Sequence, residues 1–357
     1  MRRRLTHLHK ALVLGLLAVL STSGMALADH PDASLPWPDL LPARPVPPQS
    51  SPDTRCTDPP APACIDQVIS RMYEAWRPLD EACHPRAVFA LAYLRTTEAF
   101  RESLGRGLFQ DEAWMIDLGR LFADFFFEAT HRYPAGHAPP AWKVAFEAAD
   151  AGRTNGGQDF LAGMNAHIQR DLPVVLYRMG LVSSAGSQKP DHDRVNRILE
   201  SVFDSIEEEL AARYDPVLAL ADAHPSPLDE MSVLEMIKAW REGAWRNAER
   251  LGVAASESDL HLTMESIEAG AEAWGRLITL PDNSAYAAFR SGYCRSARSR
   301  DMVEEPAAPP SRISGTATWP TWRPLASAAL PSSSLPTSTM GLGPDRGGAC
   351  ASLGFSD

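Results

Sequence analysis

Proline partitions this chain and so limits what can fold. Of its thirty prolines, eleven fall in residues 29–62 and eight in residues 304–357. The first stretch has few large apolar residues and reads as an extended, polyproline-like linker. The second is rich in Ser, Ala, Gly and Thr and reads as a low-complexity, disordered tail. Residues 63–303 remain, a length that suits one large domain. Within them apolar residues recur at helical spacing. Ile65–Trp76 carries Val68, Ile69, Met72 and Trp76. Ala87–Leu104 carries Val88, Leu91, Leu94 and Phe100. Glu112–Thr130 carries Trp114, Leu118, Leu121, Phe122, Phe125 and Phe126. A short piece over Ala141–Ala149 follows Pro139-Pro140, and proline is tolerated in a first helical turn. Further helices are expected around His167 and over Asp191–Ala212, Leu228–Leu251 and Glu257–Leu280. No alternating strand and no internal repeat stands out. The expected fold is all-α, a single compact irregular bundle of about eight or nine helices.

The first 28 residues have a different purpose. Arg2, Arg3, Arg4 and Lys10 precede the apolar run Ala11–Leu20, and Ala26-Leu27-Ala28 is a small-x-small cleavage site. This is the pattern of a secretory signal peptide, too short for a membrane anchor. No transmembrane segment is expected after its cleavage, and the destination is secreted or periplasmic. The segment holds four cations and no acid, so its loss takes the formal charge from −11 to −15. An acidic surface argues against nucleic acid as a generic partner and against docking on anionic lipid.

The five cysteines are Cys56, Cys64, Cys83, Cys294 and Cys350. In an exported chain even sets usually pair. Two disulfides are expected among the first four, with three connectivities open; Cys56–Cys64 with Cys83–Cys294 is the first choice. The second of these would tie the start of the domain to its end. The spacings lack the tight C-x-x-C pairs of a cysteine zinc site.

Chemistry concentrates in Leu161-Ala-Gly-Met-Asn-Ala-His-Ile-Gln-Arg-Asp-Leu-Pro173. On a helix, His167 and Asp171 lie one above the other, on a stripe shared with Phe160 and Met164. An inward imidazole and carboxylate cost several kcal/mol unless satisfied. They are either a hydrogen-bonded core pair, with Asp171 matched to an arginine, or two ligands of a divalent cation such as zinc. His192, in Asp191-His-Asp-Arg-Val-Asn196, should look inward at the edge of the core. Asp191 or Asp193 suits the first helical turn, where carboxylates satisfy free amides. His131 ends an aromatic-rich helix, where the dipole explains it; it also follows Leu121, Asp124 and Phe127 closely enough to share an inward edge. His137 sits in a Pro/Gly loop and should be exposed. Arg95 could pair with Glu98 on the helix surface, or answer Asp171 and a substrate anion. Trp240, Trp245 and Trp274 read as core. The chain has no G-x-S-x-G, H-E-x-x-H, Walker loop or Rossmann glycine signature.

Four blocks carry a resemblance: Cys64-Ile-Asp-Gln-Val-Ile, Ala87-Val-Phe-Ala-Leu-Ala-Tyr-Leu-Arg-Thr-Thr-Glu98, the Leu161–Pro173 segment, and Asp191-His192 with Asn196. Over residues 56–295 the chain resembles the bacterial family catalogued as domain of unknown function 5995. That resemblance implies a helical secreted or cell-surface protein and no stated activity. More distantly, His167-x-x-x-Asp171-x-Pro173 is similar to the H-x-x-x-D block of the helical zinc-dependent phospholipase C and S1/P1 nuclease group. The histidine that usually follows the proline is missing here, where Val174, Val175, Leu176 and Tyr177 stand. An N-terminal tryptophan ligand is also missing after Ala28.

Two functions follow as expectations. One is a metal-dependent hydrolase of phosphoester or other ester substrates. His167, Asp171, His192 and His131 would bind zinc or another divalent ion, Arg95 would steady developing negative charge, and Asn165 would orient substrate or water. The alternative is a non-catalytic exported protein that binds a lipid-like or apolar small molecule inside the bundle. A haem protein with one axial histidine is a third and more remote idea.

Overall fold

The computed structural model describes residues 61–180, 188–221 and 228–301. The expected signal peptide, most of the expected linker and the expected tail lie outside the described residues. Every regular element among the described residues is helical. In chain order they are α1 (Ala63–Glu81), α2 (Ala87–Ser103), α3 (Glu112–Arg132), a 3₁₀ turn at Tyr133–Ala135, α4 (Pro140–Asp150) and α5 (Gly156–Asn165). A π-helical turn over Ala166–Asp171 follows, then α6 (Leu172–Arg178), α7 (Lys189–Arg213), α8 (Leu218–Ala221), α9 (Leu228–Gly252), α10 (Glu257–Ile278) and α11 (Ser284–Asp301). The short α8 and the terminal α11 are additions to the helices legible in the sequence.

One continuous rod, α5 with its π turn and α6, forms the centre. It packs against α2, α3, α4, α9 and α10, while α1 lies on α2 and α2 lies on α7. Its sequence explains this position. Ala162, Ala166, Ile168, Leu172, Val174 and Val175 are all buried, so the rod is apolar around most of its circumference, as a central helix must be. Gly163 permits the closest approach: a Cβ there would overlap the side chain of Phe89 on α2. Local signals set the ends of the helices. Asp111 caps α3 by accepting the Trp114 N–H, and Asn155 forms a reciprocal capping box with Gln158 at the start of α5. Ser256 caps α10 through the Asp259 N–H.

The π turn departs from the regular helix expected here. The Leu172 N–H bonds to the His167 carbonyl, a step of five residues. Pro173 supplies the physical reason. It has no N–H for the Gln169 carbonyl, and in a regular helix its ring crowds that oxygen.

Cys83 and Cys294 are disulfide-bonded across a sequence separation of 211 residues, as expected. Closing so long a loop is worth roughly 5 kcal/mol in the chain-entropy model. Cys64 is also disulfide-bonded; Cys56 lies outside the described residues. Among the described residues no helix is long and apolar enough to cross a membrane.

Candidate functional site

His167 and Asp171 do face inward, and they face each other. His167 is 2% exposed and Asp171 has no exposed surface. The His167 Nδ1 lies 3.0 Å from Asp171 Oδ2, which also accepts the Trp142 indole N–H at 2.8 Å. Arg170 donates to Asp171 Oδ1 at 2.7 Å and to Glu268 of α10 at 2.8 Å. With a carboxylate against Nδ1, the imidazole carries its proton there, and Nε2 is left as an acceptor. That Nε2 is buried and has no hydrogen-bond partner among the described residues. Rings enclose it. Phe122 stacks face to face on the imidazole with centroids 3.5 Å apart, and Tyr93 meets it edge-on at 4.5 Å. Phe89, Phe126 and Trp142 complete the shell. Burial in this shell lowers the His167 pKa against the pull of Asp171, so the ring is neutral at pH 7.

The other expected site residues are engaged elsewhere. His192 is buried, with Nδ1 3.2 Å from Asp193 and its ring against Trp245. His131 is exposed, which corrects the expectation that it shares an inward edge. It sits at the last turn of α3 on the flank of exposed Glu128, one turn past the point where Phe127 meets the core. His137 is exposed, as expected. Asn165 is fully buried; its amide donates to the Ala271 carbonyl at 2.8 Å and accepts from Gln169 at 2.7 Å, stitching the central rod to α10. Arg95 is not on the surface. It is 2% exposed and donates through Nε and Nη2 to Glu209 of α7 and through Nη1 to Glu98. Burial works against its charge, but the two glutamates more than offset this. Asp171 takes Arg170 as its counter-charge instead. Among the described residues no group of three or more His, Cys, Asp or Glu side chains is placed to hold a metal ion.

Asp191 lies in the first turn of α7, as expected, and pairs there with Arg194. It also accepts the Gln110 and Asp111 N–H groups just ahead of α3 at 2.7–3.0 Å, so it ties the start of α7 to the start of α3. Sequence spacing cannot reveal a bond made across eighty residues.

The buried imidazoles set a pH dependence. Burial, reinforced by Arg241, pushes His192 down to about 3, and His167 is lowered too. The unfolded chain binds these protons near the ordinary value of about 6.5. Their contribution to stability is therefore full above that pH and is lost as pH falls toward 3. Asp159 acts in the opposite sense. Burial pushes it up to about 6 although Arg290 opposes this, so its cost fades as pH falls through 6. The two histidines together outweigh it. The urea midpoint is expected to drop between pH 7 and pH 4, and His192→Gln to flatten the slope. An unchanged slope in that variant would refute the assignment.

A cavity of about 270 Å³ is lined by none of these titrating groups. Its walls come from α5, α7, α8 and α9, with Phe160, Leu161, Phe203, Ile206, Leu210 and Leu218 as the main lining. Phe160 and Phe203 meet edge to face at 6.2 Å. Asn155, at the margin, spends its oxygen on its own helix cap. Phe160, Phe203, Ile206 and Leu210 lie on apolar stripes visible in the sequence, but the sequence does not say that these stripes fail to close on one another.

No curated protein and no solved structure matches the chain. A family model, described as a family of unknown function (DUF5995), matches residues 65–281, which include the whole central rod and the cavity walls. The chain belongs to that family of unknown function.

Proposed function

We propose that this protein binds a small apolar molecule in the cavity between α5, α7, α8 and α9. One observation carries the reading: a partly open cavity of about 270 Å³ is lined mainly by aliphatic and aromatic side chains, with Asn155 and Glu207 as its polar members, and concave, mostly apolar sites with a few polar groups are where small molecules bind. An engineered apolar cavity of roughly 150 Å³ stays dry and holds benzene. The present cavity suits a bicyclic ring or a short aliphatic chain and lies near the small end of ligand sites. Export fits this role, and the Cys83–Cys294 disulfide is compatible with an oxidising compartment.

Titration with the neutral fluorophore N-phenyl-1-naphthylamine tests the reading. Saturable enhancement at one probe per chain, competed by naphthalene, is expected. Gly157→Leu should weaken it at least tenfold. A Cβ at Gly157 meets only ordinary contacts, at 3.4 Å from Asn155 and 3.7 Å from Leu218, so the larger side chain fills space without breaking the backbone. Wild-type protein with no saturable enhancement would sink the proposal.

A second reading, metal-dependent hydrolysis of an ester or phosphoester, has one feature in its favour. The unpartnered Nε2 of His167 is backed by a carboxylate on Nδ1, the support that metal-bound imidazoles use. Elemental analysis of the purified chain decides it. A stoichiometric divalent metal that disappears in His167→Ala supports this reading, and a metal-free protein removes it.

A further inference from the structure

We propose that α11 is a latch on the cavity and acts through Asp215, a carboxylate that anchors the cavity wall and α11 at once. The proposal rests on the ligand-binding reading of the cavity. Asp215 lies between α7 and α8 and has no exposed surface. Toward the wall, its Oδ2 accepts the Gly156 N–H at 2.7 Å, between the lining residues Asn155 and Gly157. Its Oδ1 accepts the N–H of Val217, another lining residue, at 3.0 Å. Toward α11, the Tyr286 hydroxyl donates to Oδ1 at 2.8 Å, and the Arg290 Nε stands 3.5 Å from Oδ2. Arg290 is buried and also holds Asp159 and the Thr154 carbonyl, just ahead of α5. The fit on the wall side is tight: a Cβ on Gly156 would stand 2.8 Å from that of Asp215.

α11 itself is fastened at points more than along a face. Among its described side chains Arg290, Cys294 and Ala297 are buried, and Phe289 is 57% exposed. The fastenings are the Cys83–Cys294 disulfide, the Arg290 and Tyr286 contacts, and an Arg298–Asp80 ion pair. The helix also lies beyond residue 281, where the family match ends. If α11 lifts, Asp215 and Asp159 lose their cation together. A buried carboxylate without a partner must reach water or take up a proton. The backbone at Gly156 and Val217 is bonded to that carboxylate and moves with it, and both segments border the cavity. Asp159 is pushed up to about 6 by burial even with Arg290 in place, so that carboxylate has little electrostatic reserve.

The test uses the full chain with two variants. Cys83→Ser/Cys294→Ser cuts the covalent fastening and leaves the Cys64 disulfide in place. Tyr286→Phe removes one hydrogen bond at a half-buried position and keeps the fold if the double variant does not. Release of N-phenyl-1-naphthylamine is expected to quicken at least tenfold in the first and about threefold in the second. Amide hydrogen exchange over 155–158 and 215–218 should rise in parallel, with 167–176 unchanged. Normal probe binding with unaltered release and exchange in both variants overturns the latch. If wild-type protein takes up no probe, the binding reading has failed, and exchange alone decides: no acceleration at those segments overturns the latch, and acceleration there upholds it.

Discussion

Asp171→Ala is expected to destabilise the protein by roughly 3–5 kcal/mol, the usual cost of removing one partner from a buried charged network. The carboxylate has no exposed surface and gathers donors from Trp142, His167 and Arg170. Truncation strands the indole N–H and the imidazole Nδ1–H in an aromatic shell, where each unmet donor costs about 1–3 kcal/mol. Arg170 keeps Glu268. Asp171→Asn should cost less, because its amide oxygen still accepts from one side. Urea unfolding at constant m-value reads the difference. A loss below about 1 kcal/mol for the alanine variant would mean that the polar network does not hold the centre of the bundle, against the buried-network cost used here.

Arg95→Met is expected to cost a similar roughly 3–5 kcal/mol. The guanidinium bonds to Glu209 at 2.7 and 2.9 Å and to Glu98 at 2.9 Å, joining α2 to α7. Methionine fills much of the same volume, so the loss reports charge and hydrogen bonds more than packing. Glu209 retains Arg213 at 2.9 Å, but Glu98 loses the partner that opposes its burial. Burial already raises the Glu98 pKa, and without Arg95 it should rise further. The deficit should therefore shrink as the buffer is lowered from pH 7 to pH 5. A deficit that grows on acidification would contradict this account.

Both variants report the structural roles of residues expected from sequence as a metal ligand (Asp171) and a stabiliser of developing negative charge (Arg95). The helical stripes were legible because burial of one face demands apolar residues at a period of 3.6, and that demand is local. Phe122, Phe125 and Phe126 on α3, or Ile206 and Leu210 on α7, could be placed inward from spacing alone. The inward pairing of His167 with Asp171 was legible for the same reason. Its partners were not. Trp142 and Glu268 lie 29 and 98 residues from the groups they bond, and no periodicity links such positions. Asp191 was legible as a first-turn residue of α7, but not its bonds to the segment ahead of α3. The node of Asp159, Asp215 and Arg290 was missed because each of its members is unremarkable in its own segment.

What residue order determined unaided is the helical class and the inward faces of the long helices. These follow from dihedral limits and side-chain period, both properties of short segments. Only the tertiary structure decided that the Leu161–Pro173 segment is the axis of the bundle, that Arg95 and Asn165 are spent on holding helices together, and that the stripes of α5, α7 and α9 leave a void. The reason is physical. Hydrogen-bond partners and packing gaps depend on how whole helices are set against one another, and helices presenting the same apolar stripe can close tightly or leave room for a guest.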